Sequence, residues 1–443
     1  MPTRRQFGTL ALAAASLACL PAAAPQPYFV TAWTASAQGP YPVGNPTAQP
    51  DLRFALPDAA KGASDQSFRL IVRPDIWGRQ ARIRLSNVFG TRPVTFDQVY
   101  LGLQDDSATI LPGTNRPVTF GSKGKATSIT IPPGTDAMSA PVTLTFVSTP
   151  GAPMLKGRKL AVSFHVVGET GLMTWHATAL TTSYISQPHA GAVTKAESED
   201  AFPYSTTSWY FLDAVDMTAA PETKAIVAFG DSITDGTAST INGDDRWPDV
   251  LSRRLHAVYG DKISVVNAGI GGNMVIGPKD YAGHPFAGGP AATERLQRDV
   301  TGLSNVGAVL WLEGINDFGT GGADPDAVAA SVRDIVKRLR ADIPGVRIFM
   351  ATLTSAVDST NGNYGTPAVE TKRKTYNEFI RSAGIFDGVI DFDAVTLDSN
   401  TDELKAAFQP NSSIGGPGDK LHPNRAGYMA MGESIDLKAV AGR

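Results

Sequence analysis

The sequence predicts two domains, an all-β sandwich or jelly roll followed by an α/β domain with a doubly wound parallel sheet. At 443 residues, the chain is longer than one ordinary hydrophobic core serves. Its first half contains short stretches in which apolar and polar residues alternate, whereas its second half alternates unbroken apolar runs with helical patterns. Because 42% of the residues are hydrophobic and 18% are charged, we expect a globular rather than a disordered protein.

Residues 1–24 are predicted to be an export signal. Arg4 and Arg5 form a positively charged start that resembles a bacterial twin-arginine signal. The apolar run 8–20 is too short to span a bilayer, and the alanines at 22–24 offer a cleavage site. We therefore expect an exported protein, periplasmic or extracellular, rather than one held by a membrane anchor.

The single cysteine of the chain, Cys19, lies inside this signal. Cleavage after Ala24 would leave a mature protein without cysteine. The sequence then excludes a disulfide framework, a thiolate nucleophile and a cysteine-ligated zinc site in the mature protein.

Residues 28–216 are predicted to form the β-sandwich-like domain. In 81–85, three apolar residues alternate with two arginines, and 160–164 repeats the pattern. Clusters of glycine, proline and asparagine, such as 111–115, separate these stretches and are typical of turns. Many short strands with this punctuation favour a sandwich or jelly roll.

Residues 217–223 are predicted to be a linker, and residues 224–443 to form the α/β domain. Apolar runs without alternation, as expected for strands covered on both faces, occur at 225–229, 263–266, 308–312, 346–353 and 389–392. Helical patterns lie between or beside them at 246–259, 324–341 and 369–384. This alternation favours a parallel, doubly wound sheet.

Glycine-rich and polar segments follow three of these strands, and a fourth precedes a last helical stretch. They are 230–233 (Gly-Asp-Ser-Ile), 267–273 (Asn-Ala-Gly-Ile-Gly-Gly-Asn), 313–317 (Glu-Gly-Ile-Asn-Asp) and 419–423 (Asp-Lys-Leu-His-Pro). In an open parallel sheet, ligands bind just beyond the carboxyl ends of the strands. We therefore expect these segments to meet at one site.

The four segments resemble the ordered blocks of the SGNH hydrolase superfamily, also called GDSL esterases/lipases, over roughly residue 225 to the C-terminus. The first block reads GDSI, which keeps the serine. Further similarity to a bacterial secreted subgroup with a β-rich preceding domain lies at 31–33, 84–87, 246–248, 312–317 and 421–424. The resemblance implies a flavodoxin-like sheet and the catalytic residues Ser232, Gly272, Asn316 and His422, with Asp419 supporting the histidine.

The chemistry of these residues agrees with those roles. Ser232 is a weak nucleophile until a base takes its proton, and His422 is the natural base because the pKa of an ordinary histidine lies near neutrality. Asp419, three residues earlier, can accept the other ring N–H and fix the tautomer. The N–H groups of Ser232 and Gly272 and the amide of Asn316 would form the oxyanion hole.

Each residue also has a simpler structural interpretation. An Asp-Ser pair after a strand is often a helix N-cap, and Asp317 could cap the residues that come after it. A lone D-x-x-H is weak support for a triad or a metal site. The four segments in this order, each at a strand end or before a helix, favour catalysis over coincidence.

Other aromatic and histidine residues offer weaker candidates. His284 could line the pocket near the glycine segment, and His165 is expected to be structural or exposed. Trp77, Trp175 and Trp209 could stack on sugars, although packing is the simpler interpretation. The sequence contains no G-x-S-x-G, Walker or H-E-x-x-H motif, which leaves α/β-hydrolase, P-loop and zincin interpretations without support.

The resulting hypothesis is an exported serine esterase that hydrolyses carboxylic esters through an acyl-enzyme. The mature sequence contains no long apolar stretch of the kind that forms an interfacial lid. Esters with short acyl chains are therefore the favoured substrates. A carbohydrate O-acetylesterase and a lipase, lysophospholipase or arylesterase would use the same residues. A secreted glycan-binding protein with an inactive hydrolase domain is the alternative outside enzymes.

The expected partner is a small-molecule or polysaccharide ester, with no metal and no organic cofactor. A formal net charge of −3 gives no electrostatic reason to expect nucleic acid or an anionic membrane as a partner. No stable membrane insertion is expected after signal removal, and the sequence leaves the oligomeric state open.

Overall fold

The computed structural model describes residues 27–278 and 280–442, together with Met1. Apart from Met1, the predicted signal of residues 1–24, with Cys19, lies outside the described residues. Among those that are described, no helix combines the length and apolar character needed to cross a bilayer.

The described chain contains strands first and a strand–helix alternation afterwards. The strands are β1 (Phe29–Thr34), β2 (Gly39–Pro40), β3 (Ser64–Val72), β4 (Gln80–Ser86), β5 (Val94–Leu103), β6 (Arg116–Pro117), β7 (Ser128–Ile131), β8 (Asp136–Met138), β9 (Val142–Thr143), β10 (Leu160–Glu169), β11 (Thr174–His176), β12 (Ser183–Ile185), β13 (Tyr204–Thr206), β14 (Trp209–Tyr210), β15 (Leu212–Thr218), β16 (Lys224–Gly230), β17 (Ile263–Gly269), β18 (Val306–Leu312), β19 (Arg347–Ala351) and β20 (Gly388–Ile390). The α-helices are α1 (Ser232–Asp235), α2 (Trp247–Tyr259), α3 (Ala292–Leu296), α4 (Ile315–Gly319), α5 (Pro325–Asp342), α6 (Pro367–Ser382), α7 (Phe392–Thr396), α8 (Arg425–Ser434) and α9 (Leu437–Ala441).

The N-terminal strands form antiparallel sheets that share one hydrophobic core. One sheet has the order β1-β15-β4-β8, with β9 also paired to β4, and a larger one has the order β13-β12-β3-β10-β5-β6, with β7 also paired to β5. A small sheet, β14-β11-β2, completes the set. Phe68, Phe164 and Phe211 contact one another between the sheets. The antiparallel β character predicted for this half is confirmed.

The C-terminal strands form a parallel five-stranded sheet in the order β17-β16-β18-β19-β20. This is the flavodoxin-like order, in which the first strand lies between the second and the third. Because helices cover the sheet, the interior of β16 is buried without alternation, as its apolar run predicts. The predicted doubly wound fold is confirmed, and its crevice lies where β16 meets its two neighbours.

Capping residues determine where several of the helices and strands begin or end. α5 begins after Asp324, whose side chain accepts the N–H of Asp326. The apolar run predicted as a strand over 389–392 ends earlier, because Asp391 caps α7 and Phe392 is already helical. β15 continues to Thr218, inside the predicted linker, and the next strand starts at Lys224.

The two halves of the molecule contact each other along β1 and β17. The Ser264 hydroxyl donates a hydrogen bond to the carbonyl of Thr31 (2.8 Å), and the Asn305 amide donates to the carbonyl of Phe29 (2.6 Å). Arg73 of the β-domain forms a salt bridge with an aspartate on α2 (2.6 Å). The two hydrogen bonds lie near the amino ends of β17 and β18. Beyond β1, the β-domain also reaches the carboxyl end of β17, where the Gln38 side chain donates to the carbonyl of Gly271.

Candidate active site

Ser232 lies at the first position of α1, immediately after β16. The preceding residue, Asp231, is the N-cap, and its carboxylate accepts the N–H of Ile233 (3.0 Å). The simple capping interpretation therefore applies to Asp231 and leaves the Ser232 hydroxyl available. Ser232 is 6% exposed and lines a cavity.

His422 and Asp419 lie in the loop before α8 and extend a chain of hydrogen bonds from the serine. His422 Nε2 is 2.8 Å from Ser232 Oγ, and His422 Nδ1 is 2.6 Å from Asp419 Oδ2. The other Asp419 oxygen accepts the N–H groups of Leu421 (3.0 Å) and His422 (2.9 Å). This arrangement can move a proton from the hydroxyl to the imidazole.

The electrostatics of Asp419 suit a carboxylate that stays ionised. Burial opposes its ionisation, but the hydrogen bonds and the charge of His422 outweigh burial and hold the pKa of Asp419 well below its usual range. The carboxylate can therefore fix the Nδ1–H tautomer of His422 and stabilise an imidazolium when one forms.

The glycine turn after β17 brings Gly272 to the same crevice. Gly272 has a φ of +84°, and a Cβ there would lie 3.1 Å from the amide nitrogen of Asn45 and 3.2 Å from Gly288 Cα. Glycine is thus required by both conformation and space. Among the described residues, the N–H groups of Ser232 and Gly272 donate to no protein acceptor, so both are available to a ligand oxygen.

Asn316 lies in α4, just beyond β18. Its amide nitrogen donates one hydrogen to the carbonyl of Asn273 (2.8 Å), and its amide oxygen accepts a hydrogen bond from the hydroxyl of Tyr364 (2.6 Å). These two partners define which way the amide faces, and they leave the second N–H for a ligand. Asn316 can therefore act as a hydrogen-bond donor in the crevice.

The predicted residues meet in one cavity of about 750 Å³. Its lining combines the predicted site residues with neutral polar side chains and a few apolar ones, and it includes a loop of the β-domain. The lining residues are Gly44, Asn45, Pro46, Thr47, Ser232, Thr237, Gly271, Gly272, Phe286, Ala287, Asn316, Gly319, Thr320, Asn361, Gly362, Asn363, Tyr364, Asp419, Leu421 and His422.

Comparison with known proteins identifies the domain that carries this cavity. Residues 228–430 match the sequence model of the GDSL-like lipase/acylhydrolase family. Residues 228–430 form a GDSL-like lipase/acylhydrolase domain. The family match supports a carboxylic ester hydrolase. No protein of curated function matches the sequence.

Several solved structures are similar to this chain at low sequence identity. A carbohydrate acetylesterase family member from Sinorhizobium meliloti is 18% identical, with a TM-score of 0.40, over 50% of this chain and 100% of its own. The aryl esterase of M. smegmatis is 16% identical, with a TM-score of 0.36, over 48% and 95%. A carbohydrate esterase family 2 enzyme with a carbohydrate binding domain, from Corynascus thermopiles, is 16% identical, with a TM-score of 0.36, over 86% and 95%.

A buried arginine beneath the GDSL-like site joins the strand ends. Arg295 donates to the carbonyls of Gly230 (2.8 Å) and Ala268 (2.8 Å), at the ends of β16 and β17. It also donates to the side-chain oxygen of Asn273 (2.7 Å) and lies over the ring of Phe229 at 4.1 Å. Sequence reasoning missed Arg295, because nothing in the helical pattern of 292–296 separates it from a surface arginine.

Asp317 orients the segment that follows the glycine turn, rather than capping the residues after itself. Its two carboxylate oxygens accept the N–H groups of Val275 (2.9 Å) and Ile276 (3.0 Å). Burial raises the pKa of Asp317 to about 7, although these hydrogen bonds oppose the rise. Tyr364, which fixes the Asn316 amide, was likewise missed, since it lies 48 residues away without a motif.

The weaker candidates lie away from the cavity or inside the β-domain core. His284 is exposed, is bonded to Asp280, and does not line the cavity, whereas Phe286 does. Trp77, Trp175 and Trp209 are buried, so they pack. His165, expected to be structural or exposed, is buried between two aspartates. Among the described residues, no group of three or more His, Cys, Asp or Glu side chains is arranged to hold a metal ion.

Proposed function

We propose that this protein is an exported serine esterase that cleaves short-chain carboxylic esters through an acyl-enzyme. One observation carries the proposal. Asp419, His422 and Ser232 form a continuous hydrogen-bonded chain that ends in the cavity, with distances of 2.6 and 2.8 Å. This is the geometry that activates a serine hydroxyl for attack on a carbonyl carbon.

The first half-reaction forms the acyl-enzyme. Ser232 Oγ attacks the ester carbonyl carbon while its proton passes to His422 Nε2, and the carbonyl oxygen becomes an oxyanion. The N–H groups of Ser232 and Gly272 and the free amide N–H of Asn316 hold that oxyanion. When the C–O bond to the alcohol breaks, His422 returns the proton to the departing oxygen.

The second half-reaction releases the acid. A water molecule attacks the acyl carbon, His422 takes a proton from this water, and the same three donors hold the second oxyanion. Collapse of this intermediate returns the proton to Ser232 Oγ and leaves the carboxylic acid. Throughout, Asp419 keeps the imidazole oriented and balances its transient charge.

The cavity lining favours a hydroxyl-rich alcohol as a second, narrower candidate. Apart from the proposed triad, its polar side chains are neutral hydroxyls, amides and a phenol, including Thr47, Thr237, Asn361 and Asn363. Such groups bond the hydroxyls of a carbohydrate well and give no ion partner to a charged headgroup. A carbohydrate O-acetylester therefore fits better than a lysophospholipid.

Export is part of the proposal and rests on the sequence alone. The arginine pair and the short apolar run of residues 1–24 are the features that support a twin-arginine-like signal. Fractionation of cells expressing the full chain and a chain lacking residues 1–24 tests it. If the segment directs export, the full chain should be found outside the cytoplasm, and the chain lacking residues 1–24 should stay inside it.

The proposed chemistry is tested with Ser232→Ala. Turnover of p-nitrophenyl acetate should fall by several orders of magnitude. Ser239→Ala is a matched control, because Ser239 is also buried a few residues further on and its hydroxyl has no partner among the described residues. The control should keep full activity, whereas near-normal turnover by Ser232→Ala would contradict the proposal.

A further inference from the structure

A second histidine–aspartate pair, His176 and Asp235, joins the β-domain to the active site. His176 ends β11 in the β-domain, and Asp235 ends α1, the helix that begins with Ser232. Nε2 of the ring lies 3.1 Å from Asp235 Oδ1. The two side chains are 4% and 2% exposed, so the pair is sealed from solvent.

The partners of the ring establish its protonation state. His176 Nδ1 faces the carbonyl oxygen of Ser36 (2.8 Å), and Nε2 faces the Asp235 carboxylate together with the carbonyl of Thr178 (3.3 Å). Carbonyl oxygens only accept, so both ring nitrogens carry hydrogen. Burial disfavours this charge, but the Asp235 carboxylate and the ring's hydrogen bonds outweigh burial and raise the pKa of His176.

The same carboxylate holds the glycine turn. Asp235 Oδ2 accepts the N–H of Gly271 at 2.9 Å, and Gly271 is the residue directly before the proposed oxyanion donor Gly272. The turn also approaches the helix closely, since a Cβ on Gly269 would lie 2.3 Å from the backbone nitrogen of Asp235. One buried carboxylate therefore links the nucleophile helix directly to the glycine turn.

The β-domain holds this turn from its other side as well. The side-chain amide of Gln38 donates to the carbonyl of Gly271 (3.2 Å) and to the carbonyl of Ala287. The amide of Asn45 lies beside Gly272. The loop carrying Asn45 is itself fixed, because the Thr178 hydroxyl donates to the Asn45 carbonyl at 2.6 Å.

General attachment of the two domains does not require this pair. Arg73 and Asp249 form a salt bridge at 2.6 Å, and His256 on α2 lies 2.9 Å from Asp75 of the β-domain. Neither contact touches the glycine turn. The contact of His176 is different because the carboxylate it meets also binds the N–H next to Gly272.

We infer that His176 is a positioning residue, through which the β-domain fixes Asp235 and thereby the oxyanion donor at Gly272. The β-domain is then a working part of the active site and not an appended module. This inference rests on the proposed function, since it requires Gly272 to bind the oxyanion. Without His176, the Asp235 carboxylate loses its imidazole partner and can shift. The N–H of Gly271, which this carboxylate accepts, is then no longer held in place.

The test compares His176→Ala with His165→Ala in the full-length protein. His165 is a matched control, because its side chain is equally buried and lies 2.7 Å from Asp97 and 3.1 Å from Asp65, all within the β-domain. Both variants should lower the thermal unfolding midpoint. With p-nitrophenyl acetate well below that midpoint, His176→Ala should lower kcat by about 10- to 100-fold at a nearly unchanged KM, since a displaced donor loses part of the 10²–10³-fold effect of one oxyanion contact. His165→Ala should keep kcat.

Two further variants keep the outcome decisive. His176→Gln retains one N–H for Asp235 and should restore part of kcat. If His176→Ala does not fold, Asp235→Ala decides, because it removes both the acceptor of the Gly271 N–H and the partner of His176; kcat should fall at constant KM. Equal kcat in the His176→Ala and His165→Ala variants, or wild-type kcat in Asp235→Ala, would overturn the inference.

The parallel Ser232→Ala measurement separates this inference from the proposed function. If Ser232→Ala stays active, the serine mechanism is wrong and the oxyanion role falls with it. If Ser232→Ala is inactive and His176→Ala keeps wild-type kcat, the mechanism stands and the positioning role of His176 is wrong.

Discussion

For the replacement of Asn316 by alanine, the structure allows the expected loss in kcat to be worked out most directly. The change removes the amide N–H that faces the cavity, together with the hydrogen bonds to Asn273 and from Tyr364. The fold keeps its other supports at this point, because Asp317 still binds two N–H groups after the glycine turn. The loss should therefore fall on the transition state rather than on folding.

The expected magnitude follows from one missing donor in a buried oxyanion site. Such a loss costs roughly 3–4 kcal/mol of transition-state stabilisation, or about 10²–10³-fold in kcat. Two donors, the N–H groups of Ser232 and Gly272, remain, so activity should not vanish. Asn316→Asp should lose at least as much as Asn316→Ala, because its carboxylate would repel the developing negative charge.

Steady-state hydrolysis of p-nitrophenyl acetate, with kcat and KM determined separately, is the assay. A fall in kcat with a nearly constant KM is expected, since the donor acts on the transition state and not on the bound ester. Circular dichroism of each variant controls for folding. An unchanged kcat in Asn316→Ala, or a loss confined to KM, would refute the assignment of Asn316 to the oxyanion site.

Three further predictions rest on the same kinds of contact. Tyr364→Phe removes one neutral hydrogen bond to the Asn316 amide, and kcat should fall by only about 2- to 10-fold; a loss equal to that of Asn316→Ala would contradict a positioning role. Asp419→Asn removes the charge behind His422, and kcat should fall on the order of 10³-fold or more in the same assay; a loss below tenfold would exclude the triad role. His256→Gln should lower the free energy of unfolding in urea by about 1–3 kcal/mol at neutral pH. Burial disfavours the charged ring, but its aspartate partners raise the pKa of His256 to about 10, so this deficit should be complete below pH 6.5 and should disappear as pH rises through 10; a deficit independent of pH would show that the charge contributes nothing.

Much of the architecture could be predicted because its determinants are local. The unbroken apolar run of β16 indicates a strand covered on both faces, and the segments after the strands predict where a ligand binds. Ser232 closely follows a strand of the parallel sheet, and the resemblance of the four segments to the SGNH blocks implied that His422 and Asp419 join it. The end of β20 was the local exception, because the cap at Asp391 outweighs an apolar run.

The remaining parts of the site could not be predicted, because they depend on distant pairings. Tyr364 reaches Asn316 across 48 residues, and His176 reaches Asp235 across 59, in neither case with a spacing that marks the contact. The loop around Asn45 enters the cavity only because the β-domain packs beside β17. Such contacts depend on how two cores are placed against each other, which no periodicity of the sequence encodes.

The most direct test of the central claim is to trap the acyl group on the enzyme. The wild-type protein would be mixed with a p-nitrophenyl ester whose acyl-enzyme is hydrolysed slowly. The reaction would be quenched at low pH during turnover, and the protein would be digested and examined by mass spectrometry. The account predicts a single acylated peptide with the modification on Ser232, and no adduct in the Ser232→Ala variant. An adduct on another residue, or acylation that persists in Ser232→Ala, would contradict it.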